Sequence, residues 1–245
     1  MIRLAALALP LLVQIPAGTY RPLYSTAGEV RVAVAAFQMD RDYVSRRSFA
    51  AFVVAHPAWR RDSVRRVFAD DGYLADWAGP LDAGTATWAE RPATQVSWFA
   101  ARAYCATQGG RLPTVDEWEY VAAASATQRD ASNDPAYRQH VLALYTTRVA
   151  RAAEFAPAHE RNVYGIRDLH GAVWEWTLDF NSVVVGDDSR AFGSGVNARD
   201  NHLYCASAAL GATDPSDYPA FLRSAVRAGL TARTTMAGLG FRCAA

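Results

Sequence analysis

Residues 162–179 read NVYGIRDLHGAVWEWTLD, and the fold of the chain is read outward from them. Gly165 and Gly171 mark turns whose backbone comes close to a neighbour, and a short extended piece follows. In that piece Trp174 and Trp176 share one face while Glu175 points to the other, because strand side chains alternate. A carboxylate held beside buried indoles needs a partner, since an unpaired buried charge is expensive. Two partners stay open. One is a cation, completed by Asp168 and backbone carbonyls. The other is an ordinary arginine pair.

Two further segments belong with this one, RLPTVDEWEY at 111–120 and LGFRCA at 239–244. NVYGIRDLHGAVWEW resembles the NxxGLxDMxGNVWEW segment of the formylglycine-generating enzyme (sulfatase-modifying factor) family, and the other two segments follow the family in the same order. The resemblance implies an α+β fold, a variant of the C-type-lectin-like architecture with short strands, few helices and much irregular chain. It also implies a calcium site made by Asp168, the carbonyls of Leu169, Gly171 and Val173, and Glu175; Ala172 stands where the family usually has asparagine. A second family calcium site, on a loop rich in asparagine and tryptophan-glycine, has no counterpart here. Finally, it implies a disulfide between Cys105 and Cys243, the alternative being two buried free thiols. Such a bridge contributes on the order of 4 kcal/mol in the chain-entropy model and requires an oxidising compartment.

Enzymes of this family oxidise a sulfatase cysteine to Cα-formylglycine, using molecular oxygen and copper held by two cysteine thiolates four residues apart, a soft ligand pair suited to Cu(I). The family places those cysteines between a Gly-Gly-Ser turn and an arginine-rich segment. The corresponding pieces here are GSG at 193–195 and FLRSAVR at 221–227, and the interval holds one cysteine, Cys205. No C-x4-C is present. His202 lies three residues before Cys205, and an imidazole with a thiolate is an acceptable copper set. That spacing puts both on one face of a helix but on opposite faces of a strand. The other reading of Cys205 is a packed, inert thiol. Three functions remain: formylglycine formation, for which Cys205 would be the catalytic residue; a different oxidoreductase or maturation factor acting on a protein cysteine or an exported metalloprotein; and a non-catalytic binding protein on the same scaffold. The ligand count predicts no formylglycine formation of the usual copper type.

The 245 residues suit one domain, and with 51% hydrophobic and 20% charged residues the chain can bury a full core. A net charge of +1 gives no electrostatic case for nucleic acid or an anionic membrane. The three cysteines lie too far apart for a local zinc knuckle. Met1–Val13 reads as the core of a secretory leader, too short to span a bilayer, or as the approach to a buried first strand. The cysteines favour export, so the expectation is a periplasmic or secreted monomer with one domain over 14–245.

Local patterns predict the elements. Residues 13–24 and 29–40 read as strands joined at Ala27 and Gly28, with Val30, Val32 and Val34 alternating. Ser45 caps a helix bearing Phe49, Phe52 and Val53; His56, at its end, is read as facing the dipole or as a metal ligand. Trp59, Trp77 and Trp88 imply that the irregular 58–92 stretch packs on itself. Ser97 caps a helix that stops at Gly109-Gly110, and Thr114 with Glu117 forms a capping box. Glu119 is read as solvated or arginine-paired. A last helix starts near Asn133 with Tyr137, Val141, Tyr145 and Val149 on one stripe.

Overall fold

The computed structural model describes residues 11–24, 31–150, 160–181 and 212–245. Its opening is one long hairpin in two pieces. Strand β1 (Leu12–Ile15) pairs antiparallel with β4 (Phe37–Asp40), and β2 (Gly18–Tyr20) with β3 (Val32–Val34). Pro16 separates β1 from β2, and a proline cannot donate to the ladder. Leu12 and Val13, the end of the leader-like run, belong to β1. The turn at Ala27 and Gly28 lies outside the described residues. Gly18 lets β2 press against Tyr120, whose hydroxyl a Cβ would meet.

Helix α1 (Arg46–Ala55) starts where the Ser45 side chain accepts the Ser48 N–H, and buries Phe49, Phe52 and Val53. A short helix α2 (Ala86–Ala89) precedes α3 (Trp98–Thr107), which the Ser97 side chain caps. Helix α4 (Val115–Ala122) opens on the full Thr114–Glu117 capping box, and Arg111 clamps the same Glu117 at 2.6 Å through each of two nitrogens. Helices α5 (Pro135–Ala150) and α6 (Tyr218–Ala228) pack on one another. Val141 and Tyr145 are the buried stripe of α5.

Near its end the chain returns through the middle. Strand β6 (Leu239–Gly240) runs parallel to β5 (Trp174–Glu175), and Ala244 then bridges to both Met39 and Arg111. This strand crossing joins two apolar clusters. One gathers Phe49, Phe52, Trp77, Tyr104, Trp176 and Phe241 around the disulfide; the other gathers Ile15, Met39, Trp118, Val121 and Ile166 behind the hairpin. Truncating a buried aromatic such as Trp176 or Phe241 would cost about 3–5 kcal/mol. The result is a mixed α+β architecture of short strands and few helices, held by aromatic packing.

Cys105 and Cys243 are disulfide-bonded with Cα atoms 5.5 Å apart, tying α3 to the last residues of the chain. Trp77 is buried and Trp59 packs on the same cluster, as the 58–92 stretch required, whereas Trp88 is exposed and covered by arginines instead.

Candidate functional site

The 162–179 stretch folds as two turns and a strand. Gly165 takes φ +90°, and the Asn162 side chain accepts the N–H groups of Tyr164 and Ile166, both at 3.1 Å. In the second turn the left-handed residue is Asp168 (φ 50°) rather than Gly171. An aspartate tolerates that region, and this one also accepts the Glu160 N–H at 3.2 Å. Trp176 is fully buried and donates its indole N–H to the Val96 carbonyl at 2.8 Å, while Trp174 packs on the Tyr145 ring at 4.8 Å.

Glu175 faces the other way, and its partner is an arginine. Arg242 Nε donates to both carboxylate oxygens at 3.0 and 2.8 Å, and Nη2 donates to Oε1 at 2.7 Å. Trp118 Nε1 adds a fourth contact, to Oε2 at 2.9 Å. The remaining Arg242 donors reach the carbonyls of Asp40, Arg41 and Arg167. Both side chains are 0% exposed. Burial works against the Arg242 charge, but Glu175 outweighs it and holds the guanidinium above its ordinary pKa. Sequence reading placed Glu175 in a calcium set. It also left an arginine pair open, and Arg242 is the partner the structure shows on both carboxylate oxygens. Asp168, Leu169, Gly171 and Val173 do lie together in the turn before β5.

Beside this pair sits Asp40. Its Oδ2 accepts the Cys243 N–H at 2.9 Å, and its Oδ1 has no hydrogen-bond partner among the described residues. Burial pushes its pKa up to about 6, against the pull of the Cys243 N–H and Arg242.

A second buried ion cluster joins α4 to α6. Arg223 grips Glu119 through Nε at 2.9 and 3.0 Å and Nη2 at 2.6 Å, and Arg227 reaches it at 2.5 Å. Both guanidiniums lie over the Trp118 ring, 5.7 and 5.1 Å from its centroid. Burial raises the Glu119 pKa, but the two arginines overcome this and bring it down to about 2. Arg223 continues to Tyr145 Oη at 3.2 Å, which meets His170 Nδ1 at 3.0 Å; His170 Nε2 meets Tyr137 Oη and the Ala122 carbonyl, each at 3.1 Å. The arginines of the FLRSAVR segment are therefore structural ties between helices. Sequence reading put Tyr145 on an apolar stripe and gave His170 no role. The signal was the polar tip that each carries on a buried face.

A cavity of about 480 Å³ opens beside this network, lined by Tyr137, His140, Glu160, Asp168, His170 and Gly171 among others. His140 and Glu160 pair across it at 2.9 Å. Among the described residues no three His, Cys, Asp or Glu side chains are grouped to hold a metal ion. His56 is a helix cap, with Nδ1 3.0 Å from the Phe52 carbonyl and its ring stacked on Phe52. His202, Cys205 and the 193–195 turn lie outside the described residues.

Comparison with known proteins places this geometry. The model of the sulfatase-modifying factor enzyme 1-like domain matches residues 4–245. The chain belongs to this family. Among its family relatives is an inactive Cα-formylglycine-generating enzyme 2 of Bos taurus, 35% identical over 101 residues, 36% of this chain and 33% of that protein. The protein of the same name from Mus musculus is 30% identical over 170 residues, 63% of this chain and 49% of its own length. The formylglycine-generating enzyme of Mus musculus is 27% identical over 285 residues, 98% of this chain and 76% of the enzyme. The chain thus spans a third to a half of the two inactive relatives. With Cys105 and Cys243 bridged, this family member carries one further cysteine, which is inconsistent with the two-thiolate copper pair of the family's enzymes.

Proposed function

We propose that this protein is a maturation or partner-binding member of the formylglycine-generating enzyme family that does not run the two-thiolate copper reaction. One observation carries the proposal: the disulfide consumes two of the chain's three cysteines, leaving Cys205 as its single thiol. One thiolate leaves Cu(I) under-coordinated unless His202 or a substrate thiol completes the site. The likeness to relatives named inactive supports the same reading. The two charge clusters support it from another side. Arginines and acids of the family segments serve here as fully bonded ties between elements, with no group held ready for chemistry at Glu175 or Glu119.

Within this reading the scaffold is the family's C-type-lectin-like variant, and its partner is an exported protein or metalloprotein met outside the reducing cytosol. The disulfide supports that compartment, and among the described residues no helix is long and apolar enough to cross a membrane. Titration of the purified, oxidised protein with Cu(I) against a chelating competitor tests the proposal. The expected result is weak binding that Cys205→Ser removes. Tight binding with two sulfur ligands by X-ray absorption would contradict it.

A further inference from the structure

A strip of partly exposed rings crosses the surface formed by the 59–68 segment and α3. Trp59 and Phe68 have centroids 5.8 Å apart, Phe68 and Phe99 5.3 Å, and Phe99 and Trp98 5.4 Å. Two exposed arginines lie on it. The Arg65 guanidinium is 5.6 Å from the Phe68 centroid and that of Arg102 is 5.4 Å from the Trp98 centroid. The Trp98 ring is fixed, because its N–H donates to the Thr177 carbonyl at 3.0 Å.

A guanidinium lying on a ring keeps its in-plane N–H fork directed away from the contact. At three other ring-stacked arginines a carboxylate meets the guanidinium, while Arg91, 4.0 Å from the Trp88 centroid, has no side-chain partner among the described residues. Arg223 and Arg227 lie over Trp118 at 5.7 and 5.1 Å and receive the Glu119 carboxylate; Arg46 lies 4.9 Å from the Trp88 centroid and receives Asp76. Arg65 and Arg102 repeat the arrangement at the surface without an ion pair or side-chain hydrogen bond to any described residue. The nearby acids are already taken: Asp62 by Arg60 at 2.7 Å, Asp71 by Arg66 at 3.3 Å, and Asp70 by Thr235. Val67, 55% exposed, adds an apolar contact beside the rings.

We propose that this strip is a docking surface for an extended acidic segment of a partner protein. Its carboxylates take the Arg65 and Arg102 forks, and its intervening apolar side chains lie over Phe68 and Phe99. The ring spacing favours an extended segment, whose same-face side chains recur about every 6.6 Å. The two guanidiniums of this strip, in a chain of net charge +1, are too few for a nucleic acid, which is held by many phosphate contacts. The strip lies apart from Cys205 in the sequence, and the inference holds whether or not the protein is catalytic.

The test uses the full chain and a fluorescent nine-residue peptide alternating glutamate with leucine or tyrosine, followed by anisotropy at low salt. Binding is expected, weakened about tenfold when glutamine replaces every glutamate and about tenfold again in Arg65→Ala/Arg102→Ala. Both arginines are exposed, so the double variant should melt with the wild type. The Arg65→Lys/Arg102→Lys variant keeps the charge but loses the planar fork, and should recover less than half of the lost affinity. No binding at millimolar peptide, equal binding by the glutamine peptide, or an unchanged Kd in the alanine variant would overturn the proposal. Tighter binding of a nine-nucleotide thymidine oligomer that is lost in the alanine variant would also overturn it, in favour of a nucleic acid.

Discussion

Glutamine at position 175 would separate the arginine-pair account of the central strand from the calcium account. In the wild type, four N–H contacts converge on two carboxylate oxygens, three from Arg242 and one from Trp118, in a site with no solvent exposure. Glu175→Gln removes the counter-charge and turns one oxygen into an NH₂ that must face another donor. Breaking a buried pair while leaving its partner charged costs about 3–5 kcal/mol. At about 2–4 °C per kcal/mol for a chain of this size, the melting temperature should fall by roughly 6–20 °C. Circular dichroism melts in EDTA and in millimolar calcium provide the assay. The same large drop is expected in both buffers. If wild type and variant melt together in EDTA and separate only with calcium, the carboxylate is a metal ligand and the reasoning is wrong.

Three other expectations concern stability. Glu119→Ala should cost about 3–5 kcal/mol by stranding Arg223 and Arg227. Because the folded pKa of Glu119 is lowered to about 2, its contribution is present above the ordinary carboxylate pKa and is lost as pH falls through about 2; denaturant titrations from pH 5 to 2 should show that loss in the wild type and not in the variant. Asp40 has the opposite sign. Its folded pKa is raised to about 6, so its favourable contribution is present below the unfolded value and is lost as pH rises through about 6. Asp40→Asn keeps an acceptor for the Cys243 N–H, and should be more stable than the wild type at pH 8 with a flatter profile between pH 4 and 6. A less stable variant at pH 8 would show that the charge is welcome there. Replacing Cys105 and Cys243 by alanine should lower unfolding free energy by about 5 kcal/mol, read as a shift in denaturant midpoint that reductant reproduces in the wild type.

Much of the fold was legible because its signals are local. Ser45, Ser97 and the Thr114–Glu117 pair each satisfy helix N–H groups within a few residues, and a cap can be seen in sequence wherever its acceptor precedes an apolar stripe. The family segments brought Cys105 and Cys243 together from opposite parts of the chain. What could not be read was the choice of partner for a buried charge. Glu175 between tryptophans demands a cation, but a metal ion and an arginine 67 residues away satisfy the same local pattern. The same holds for Glu119, whose arginines lie 104 and 108 residues along. The second turn shows a smaller version of this limit. Gly171 was read as the mark of the turn, but the left-handed residue there is Asp168, whose side chain bonds back to the Glu160 backbone. His170 was invisible as a node because its partners come from α4 and α5.

The central claim is that the ligand count of this chain does not support formylglycine formation of the copper type. Its most direct test is incubation of the oxidised protein with Cu(I), oxygen and a peptide carrying the C-x-P-x-R sulfatase motif, followed by mass measurement of the peptide. The account predicts an unchanged peptide mass with the disulfide and fold intact. Conversion of the cysteine to the aldehyde that disappears in Cys205→Ser would contradict it, and would make Cys205 a copper ligand completed by the substrate thiol.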